Sequence, residues 1–316
     1  MLLIFNKVLV VFIYIGIGLA ANRLKVLPEE SVKHFTGLIM GITVPCLVIS
    51  SITGQEIDGD MYRNTIITFF LTSFIYVMIA LITTFVADRI FPGKDQQDRN
   101  VLASAMTSCN SGFMGFPIAK AVFGTQAFYY MVIQNISNNV YLFVISLSQL
   151  HHREKNTSSK SLREKLKPLM NPTSVATIVS IIMLFTGIHL PAYVMDIVGI
   201  IGDITIPLSM MLVGVQLGGT ELKRLLSDKD LLITSFIKLI AVPALVTLFL
   251  APLSAAPIVK LTALLGISFP SAVIGVAVSA QEKKNSQLMA EAVACSTVLS
   301  IVTVPLWIMV ISHMYL

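Results

Sequence analysis

A stretch at residues 110–120 interrupts an otherwise apolar segment with residues that could bind a ligand. Its sequence, NSGFMGFPIAK, contains Asn110, Gly112, Gly115 and Pro117. Proline deletes a main-chain hydrogen bond and clashes with the preceding turn, whereas glycine lets the backbone approach other groups closely. The asparagine amide adds a donor and an acceptor. We therefore expect a broken helix whose open backbone and amide face a polar ligand.

A second stretch, SFPSA, repeats this pattern near the other end of the chain. It contains Ser268, Pro270 and Ser271, and its F-P-x-A sequence corresponds to that around Pro117. Proline is favoured at the first position of a helix, so each broken segment is predicted to resume near its proline. Helix starts bind anions through free N–H groups, and Lys120 would add positive potential. Two interpretations of the serines stay open: they satisfy freed backbone groups, or they bind the substrate.

Amide side chains follow in the next apolar segment, MVIQNISNNVYLF. Gln134, Asn138 and Tyr141 fall at positions i, i+4 and i+7, with Asn135 alongside, so they form one polar stripe. Such amides can join helices, at about 0.6 kcal/mol per contact, or they can line a polar cavity. The stripe is dense and directly follows the broken segment, which favours the cavity.

Two charged residues within apolar segments are further candidates for charge or ion coupling. Lys238 is costly inside a membrane and indicates a functional site, unless its side chain extends to the membrane surface. Glu291 lies about one turn inside a segment end and is a candidate ligand of a coupling ion. The three cysteines show neither CxxC nor metal-ligand spacing, so no metal site or disulfide framework is expected.

The composition indicates that these residues lie in a membrane protein. Of the 316 residues, 55% are hydrophobic and 12% charged, and the mean hydropathy is +0.82. Soluble domains have about 25% charged residues, and crossing the hydrocarbon takes roughly 20 mostly apolar residues. The first segment is interpreted as a membrane helix and not as a cleaved signal. Ten segments qualify, at about 2–22, 31–53, 64–88, 99–124, 127–149, 172–189, 194–217, 230–250, 258–280 and 288–313.

The distribution of basic residues predicts the orientation. With the N-terminus outside, 17 of the 22 Lys and Arg residues fall on the inner side of the membrane and three on the outer side. Both termini are therefore predicted to lie outside a cell membrane, with residues 151–170 as a cytoplasmic linker. The net charge of +5 then reflects the inner loops, and no nucleic-acid partner is expected.

Short internal sequence similarities predict two inverted repeats, at 1–150 and 171–316. The second segment contains ITVPCLVISSITGQEI from Ile42 and the seventh contains ITIPLSMMLVGVQLGGTEL from Ile204, while the fourth and ninth share F-P-x-A. Five helices per half would invert the second half in the membrane, as in many secondary transporters. We predict an all-α membrane protein of ten transmembrane helices whose broken helices 4 and 9 meet at the bilayer midplane.

No sequence motif indicates an enzyme. The chain contains no HExxH, no GxSxG and no Walker loop with GK[ST]. Catalysis and a bound cofactor are therefore not expected, and transport would be passive or driven by a gradient.

The motifs resemble those of the auxin efflux carrier family, which includes bacterial malonate- and malate-type permeases. The stretch NSGFMGFPIAKAVFG, from Asn110 to Gly124, is similar to the N-x-G-x-x-G-x-P…FG sequence of that family. The length, the ten segments, the prolines of the second and seventh segments and the stretch FPSAVIGVAVSAQEKKNSQLMAEAVACSTVLSIVTVPLW also resemble it. The short linker resembles that of the bacterial members.

The resemblance implies a fold similar to the bile-acid:sodium symporters, with helices 4 and 9 unwound and crossing at their prolines. Spans 1, 2, 6 and 7 would form a scaffold, and spans 3–5 and 8–10 would move with the substrate site. The resemblance also implies that Asn110 contacts a substrate carboxylate and that Gln134 or Asn135 contributes.

We therefore expect a carrier that moves a small organic anion, such as a mono- or dicarboxylate, by elevator-like alternating access. Its partners would be the anion, the lipid bilayer, a coupling ion (H⁺ or Na⁺) and a second copy in a homodimer. One alternative is a sodium-coupled symporter of the bile-acid type, with Glu291 and the two serines as candidate ligands. The other is a membrane sensor that binds an anion without moving it.

Overall fold

The computed structural model describes residues 2–28, 30–53, 59–153, 171–219 and 222–316, and over these residues its regular structure is entirely helical. Each predicted segment coincides with one helix or with two consecutive helices. In chain order the helices are α1 (Leu2–Arg23), α2 (Ser31–Thr53), α3 (Gly59–Ile90), α4 (Gln96–Thr107), α5 (111–123), α6 (125–150), α7 (Pro172–Thr186), α8 (Ala192–Gly218), α9 (Leu222–Leu225), α10 (Lys229–Leu250), α11 (Pro257–Ile267), α12 (Ile274–Gln281) and α13 (Ser286–Tyr315).

Six of the described helices are long and apolar enough to cross a membrane, namely α1, α2, α3, α8, α10 and α13. The shorter helices α7 and α11 are also apolar. Large side chains such as Phe70, Leu81 and Leu248 are 65–73% exposed, which suits a surface covered by lipid. The prediction of an all-α membrane protein is confirmed, whereas the ten-span inverted repeat stays a prediction.

Contacts group the described residues into two compact units, each assembled from separate stretches of the chain. The first unit takes in 1–66, 112–133 and 170–220, and the second takes in 67–111, 134–169 and 221–316. These units describe packing and not internal symmetry, so the division into repeats at 1–150 and 171–316 stays a prediction. Most of the predicted linker, residues 154–170, lies outside the described residues.

The tightest packing of the first unit joins α1 to the second half of α8. A side chain at Gly18 would overlap the backbone carbonyl of Met211, and one at Gly214 would overlap that of Ile15. Lipid tails are as apolar as leucine, so membrane helices associate through such close approach of small residues. The glycines therefore fix the distance between these two helices.

Buried polar contacts hold α3, α4 and α6 together in the second unit. The hydroxyls of Thr83 and Thr107 lie 2.7 Å apart, and Gln149 Nε2 donates to both, at 3.2 and 3.3 Å. The rings of Tyr76 and Tyr141 stack with their centroids 5.5 Å apart. Polar side chains in a membrane interior need partners, so this network restricts how the three helices can pack.

Five π-helical turns interrupt the described helices, and three of them precede a proline. The three turns are Ile39–Thr43, Ser111–Gly115 and Ile237–Ala241, and each ends two residues before Pro45, Pro117 or Pro243. Proline has no N–H, and its ring clashes with the carbonyl four residues earlier. That carbonyl lies in the middle of each turn, where the wider π-helix makes room for the ring. These helices therefore continue through their prolines.

Candidate functional site

Two interruptions of the helical backbone meet in the second unit. The first covers residues 108–110, between α4 and α5, and the second covers 268–273, between α11 and α12. The backbone N–H of Asn110 in the first donates to the carbonyl of Pro270 in the second, at 2.8 Å. This hydrogen bond gives an unwound segment the partner it needs at membrane depth.

The first interruption lies before its predicted position. We predicted that the second half-helix starts near Pro117, but α5 begins at Ser111 and contains that proline. The prediction was wrong because the π-turn Ser111–Gly115 accommodates the proline ring. Pro270, in contrast, lies within the second interruption, and α12 begins after it at Ile274.

The serines of the second interruption satisfy backbone carbonyls. Ser268 Oγ donates to the Leu264 carbonyl at 2.8 Å, and Ser271 Oγ donates to the Ala105 carbonyl at 2.7 Å. The Ser271 N–H donates to Ser296 Oγ at 3.2 Å. These contacts support the backbone role that the sequence left open, and substrate binding by the two serines stays a prediction.

The amides of α6 are directed at the first interruption. Asn138 Nδ2 donates to the Cys109 carbonyl at 2.9 Å and to Ser111 Oγ at 3.1 Å. Asn135 Nδ2 donates to the same Ser111 oxygen at 2.6 Å. The polar stripe therefore supplies the N–H groups that the unwound chain needs.

Two amide oxygens of α6 have no hydrogen-bond partner among the described residues. They are Asn138 Oδ1 and Gln134 Oε1, on side chains that are 2% and 0% exposed. The Gln134 Nε2 atom donates to the Tyr76 hydroxyl at 2.8 Å, so only one end of this amide is paired. An unpaired buried acceptor costs about 1–3 kcal/mol. Both oxygens are therefore available to a donor on a ligand or to water.

The side chain of Asn110 differs from these amides because nothing in the described part of the chain hydrogen bonds to it. The residue is buried, and its backbone is held by the Pro270 carbonyl. Its amide N–H groups can therefore donate to an incoming ligand without first breaking a contact within the protein. Substrate binding by Asn110 stays a prediction.

Lys238 of α10 is fully buried beside the same interruptions. Its side chain is 0% exposed, and Nζ donates to Cys109 Sγ at 2.8 Å and to the Ile267 carbonyl at 3.3 Å. The alternative in which this side chain extends to the membrane surface is therefore wrong. Of these two partners, Ile267 is the last residue of α11, and Cys109 is the second residue after the end of α4.

The other two charged candidates have acidic or basic partners. Lys120 Nζ, in the first unit, lies 2.9 Å from Asp203 Oδ1, and Arg224 Nη2, in the second, lies 2.9 Å from Glu291 Oε1. The Asp203 and Arg224 side chains are 68% and 65% exposed, and ion pairs so exposed contribute about 0–1 kcal/mol. A role of Lys120 or Glu291 in charge or ion coupling stays a prediction.

The remaining predicted site residues lie in α5 and belong to the first unit. A side chain at Gly112 would meet only the flexible end of Met40, at 3.4 Å, while Gly115 and Pro117 are buried. Their contact with a substrate stays a prediction.

Two residues that contact the predicted site residues, Cys109 and Tyr76, were not predicted from the sequence. A thiol and a tyrosine in apolar segments carry no signal of their own, although Cys109 adjoins Asn110. Among the described residues, no group of three or more His, Cys, Asp or Glu could hold a metal ion. The arrangement thus contains the Asn110 amide and two buried amide oxygens that have no hydrogen-bond partner among the described residues, and these groups can bind a polar ligand.

Comparisons with known proteins support a role in transport. Residues 3–308 match the family described as "Membrane transport protein". An uncharacterized transporter of Methanocaldococcus jannaschii is 22% identical over 308 residues, which cover 96% of this chain and 97% of the relative. An uncharacterized transporter of Methanothermobacter thermautotrophicus is 23% identical over 318 residues, covering 97% and 98%. The match confirms the resemblance to auxin efflux carriers: this chain is a membrane transporter and belongs to the membrane transport protein family.

Proposed function

We propose that this transporter is a secondary carrier of a small organic anion, with a mono- or dicarboxylate as its substrate. The observation that carries the proposal is the side chain of Asn110, which is buried where two interrupted helices meet and has no partner in the described chain. Hydrogen bonds to a charged group contribute about 1.5–3 kcal/mol. An amide in this position can therefore select a carboxylate over a neutral ligand.

The electrostatics around Asn110 favour a negative ligand. The helices α5 and α12 both begin directly after the interruptions, and a helix start carries roughly half a positive charge. The buried Lys238 adds a further donor, and no carboxylate hydrogen bonds to either residue in the described chain. These features support an anion as the ligand.

The grouping of helices supports an elevator-like mechanism as part of the proposal. The helices α1, α2, α7 and α8 belong to one compact unit, and α4 and α10–α13 belong to the other. For these helices the sets agree with the scaffold and the moving part that the family resemblance implies. Residues 112–133, in α5 and the start of α6, differ because they group with the first unit. In this mechanism the moving unit carries Asn110 and the bound anion across the membrane.

Flux into proteoliposomes tests the proposed function directly. Purified protein should take up radiolabelled malonate or malate, and excess unlabelled substrate should compete, whereas protein-free liposomes should show neither effect. Binding of a carboxylate with no flux would favour the anion sensor and would overturn the carrier. Absence of both binding and flux across a panel of carboxylates would contradict the choice of substrate class.

The same preparation separates two kinds of carrier. We expect uptake to continue at the same rate when external Na⁺ is replaced by choline, because the buried Lys238 amine already contacts the Ile267 carbonyl at the end of α11, the kind of group that binds Na⁺ in other carriers with broken helices. A loss of uptake on that exchange would favour the sodium-coupled symporter. A proton gradient imposed at constant Na⁺ then tests coupling to H⁺.

The proposed orientation in the cell membrane can be tested by thiol labelling. A cysteine introduced by Lys160→Cys, in the predicted cytoplasmic linker and outside the described residues, should resist a membrane-impermeant maleimide applied to intact cells. It should react once the cells are opened. Labelling of intact cells would overturn the placement of both termini outside.

A further inference from the structure

We propose that Lys238 supplies a fixed cation for the interrupted helices, so that this carrier binds and moves its anion without a bound metal cation. The inference rests on the proposed function and identifies what takes the place of a coupling metal at that site. Discontinuous membrane helices commonly use unwound carbonyls and the carboxyl ends of half-helices to bind Na⁺ or H⁺. Here Lys238 Nζ occupies that kind of position.

The Lys238 amine is enclosed by the protein and, in the described chain, contacts only hydrogen-bond acceptors. Its side chain is 0% exposed, and none of the ion pairs of the described residues includes it. An ammonium has three donors and no acceptor, and both of its contacts, Cys109 Sγ and the Ile267 carbonyl, can accept. No carboxylate in these contacts cancels its field.

The two partners of Lys238 lie at the carboxyl ends of two helices. Ile267 is the last residue of α11, and Cys109 is the second residue after the end of α4. The carboxyl end of a helix carries roughly half a negative charge, which a cation there stabilises. Cys109 Sγ also lies 3.5 Å from the Thr107 carbonyl and 3.8 Å from that of Ile267. Lysine and thiol thus jointly contact both helix ends.

A local distortion of α10 fixes where the lysine lies. Pro243 has no N–H, so the Leu239 carbonyl, four residues earlier, loses its helical donor. The π-turn Ile237–Ala241 contains both this carbonyl and Lys238, and Trp307 Nε1 donates to the carbonyl at 2.7 Å. The indole N–H of Trp307 on α13 therefore replaces the missing donor to the Leu239 carbonyl. This contact holds the turn that carries the lysine.

Lys238 acts on the substrate through position and charge, since its own contacts are with the protein. Cys109, which it contacts, immediately precedes Asn110, whose amide has no partner in the described chain. A positive charge beside this pair favours an anion over a neutral ligand at Asn110. It also neutralises the helix ends in the empty carrier, as a bound metal ion would.

The test compares Lys238→Met, which keeps the length of the side chain and removes the charge, with Lys229→Met as the matched control, because Lys229 is exposed at the start of the same helix α10. Carboxylate binding, measured by isothermal titration on purified protein, should weaken about tenfold in Lys238→Met and should change little in the control. Unchanged affinity in a folded Lys238→Met protein would overturn the proposal.

Thermal unfolding provides a second readout that does not depend on transport. Lys238→Ala should melt at a lower temperature than the wild type, and propylammonium, which matches the atoms removed, should restore part of the loss. Propylammonium should leave Lys229→Ala unchanged, because the exposed Lys229 side chain leaves no enclosed site behind, and equal rescue of both variants would contradict a specific cation site.

The wild-type protein keeps the proposal testable even where the variants fail to fold. Its melting temperature should be the same in Na⁺ and in choline at equal ionic strength. A higher melting temperature in Na⁺ than in choline would overturn the proposal. Failure of the wild type to transport any carboxylate would defeat the proposed function, while the propylammonium result would still decide whether Lys238 fills a cation site.

Discussion

Replacing Asn110 with alanine is expected to lower carboxylate uptake by about ten- to a hundredfold while the protein still inserts and folds. The side chain makes no hydrogen bond within the described chain, so its removal leaves no protein group unpaired. The loss should therefore fall on the ligand, because one hydrogen bond to a charged group is worth about 1.5–3 kcal/mol. Initial rates of malonate uptake into proteoliposomes measure it.

Two further variants make this result specific. Asn6→Ala removes an exposed amide of α1 and should transport like the wild type. Asn138→Ala should reduce thermal stability as well as uptake, because Asn138 Nδ2 pairs the Cys109 carbonyl and Ser111 Oγ. Near-normal uptake by a folded Asn110→Ala protein would remove Asn110 from the substrate site.

The second large effect concerns folding, and two glycines of α1 should show it with opposite outcomes. Gly18→Ala places a methyl group against the backbone carbonyl of Met211, which cannot rotate out of the way as a side chain could. Overpacking typically costs about 1–3 kcal/mol, and a clash with backbone belongs at the upper end of that range. We expect a marked fall in melting temperature and in detergent-extracted yield.

Gly16→Ala is the matched control, two residues away on the same helix. A methyl group at Gly16 meets no heavy atom within 4 Å, so this variant should melt like the wild type. Both variants replace glycine with alanine in the same helix, so the effect of the substitution on helix propensity is the same in both and cancels in the comparison. Equal melting temperatures for the two variants would show that α1 and α8 do not approach as closely as described.

The sequence predicted the helices of this protein well because apolar length is a direct physical requirement for crossing a membrane. It also predicted that the segments containing Asn110 and Pro270 are interrupted, since both combine proline with small or polar residues. The predicted position of the first interruption was wrong because a π-turn accommodates Pro117, and a proline in the sequence does not show whether a helix breaks or only widens around it. The close packing of α1 on α8 could have been found from the Gly214–Gly218 spacing, a small-xxx-small pattern.

The environment of Lys238 could not be predicted from sequence. A lysine within a membrane helix either extends to the surface or is buried, and the outcome depends on which groups surround its amine. Those groups are a carbonyl of α11 and a thiol beside α4, which are 29 and 129 residues away in the chain. The same limit applies to Ser268 and Ser271, whose roles depend on which carbonyls the folded backbone leaves unpaired.

The hydrogen bond from Trp307 to the Leu239 carbonyl gives this protein an intrinsic optical reporter. The chain contains a single tryptophan, so its fluorescence comes from one position, on α13 against the turn that carries Lys238. Indole emission responds to loss of a hydrogen bond and to entry of water. Spectroscopy on the unmodified protein can therefore follow rearrangements of this turn during a transport cycle, without an attached dye.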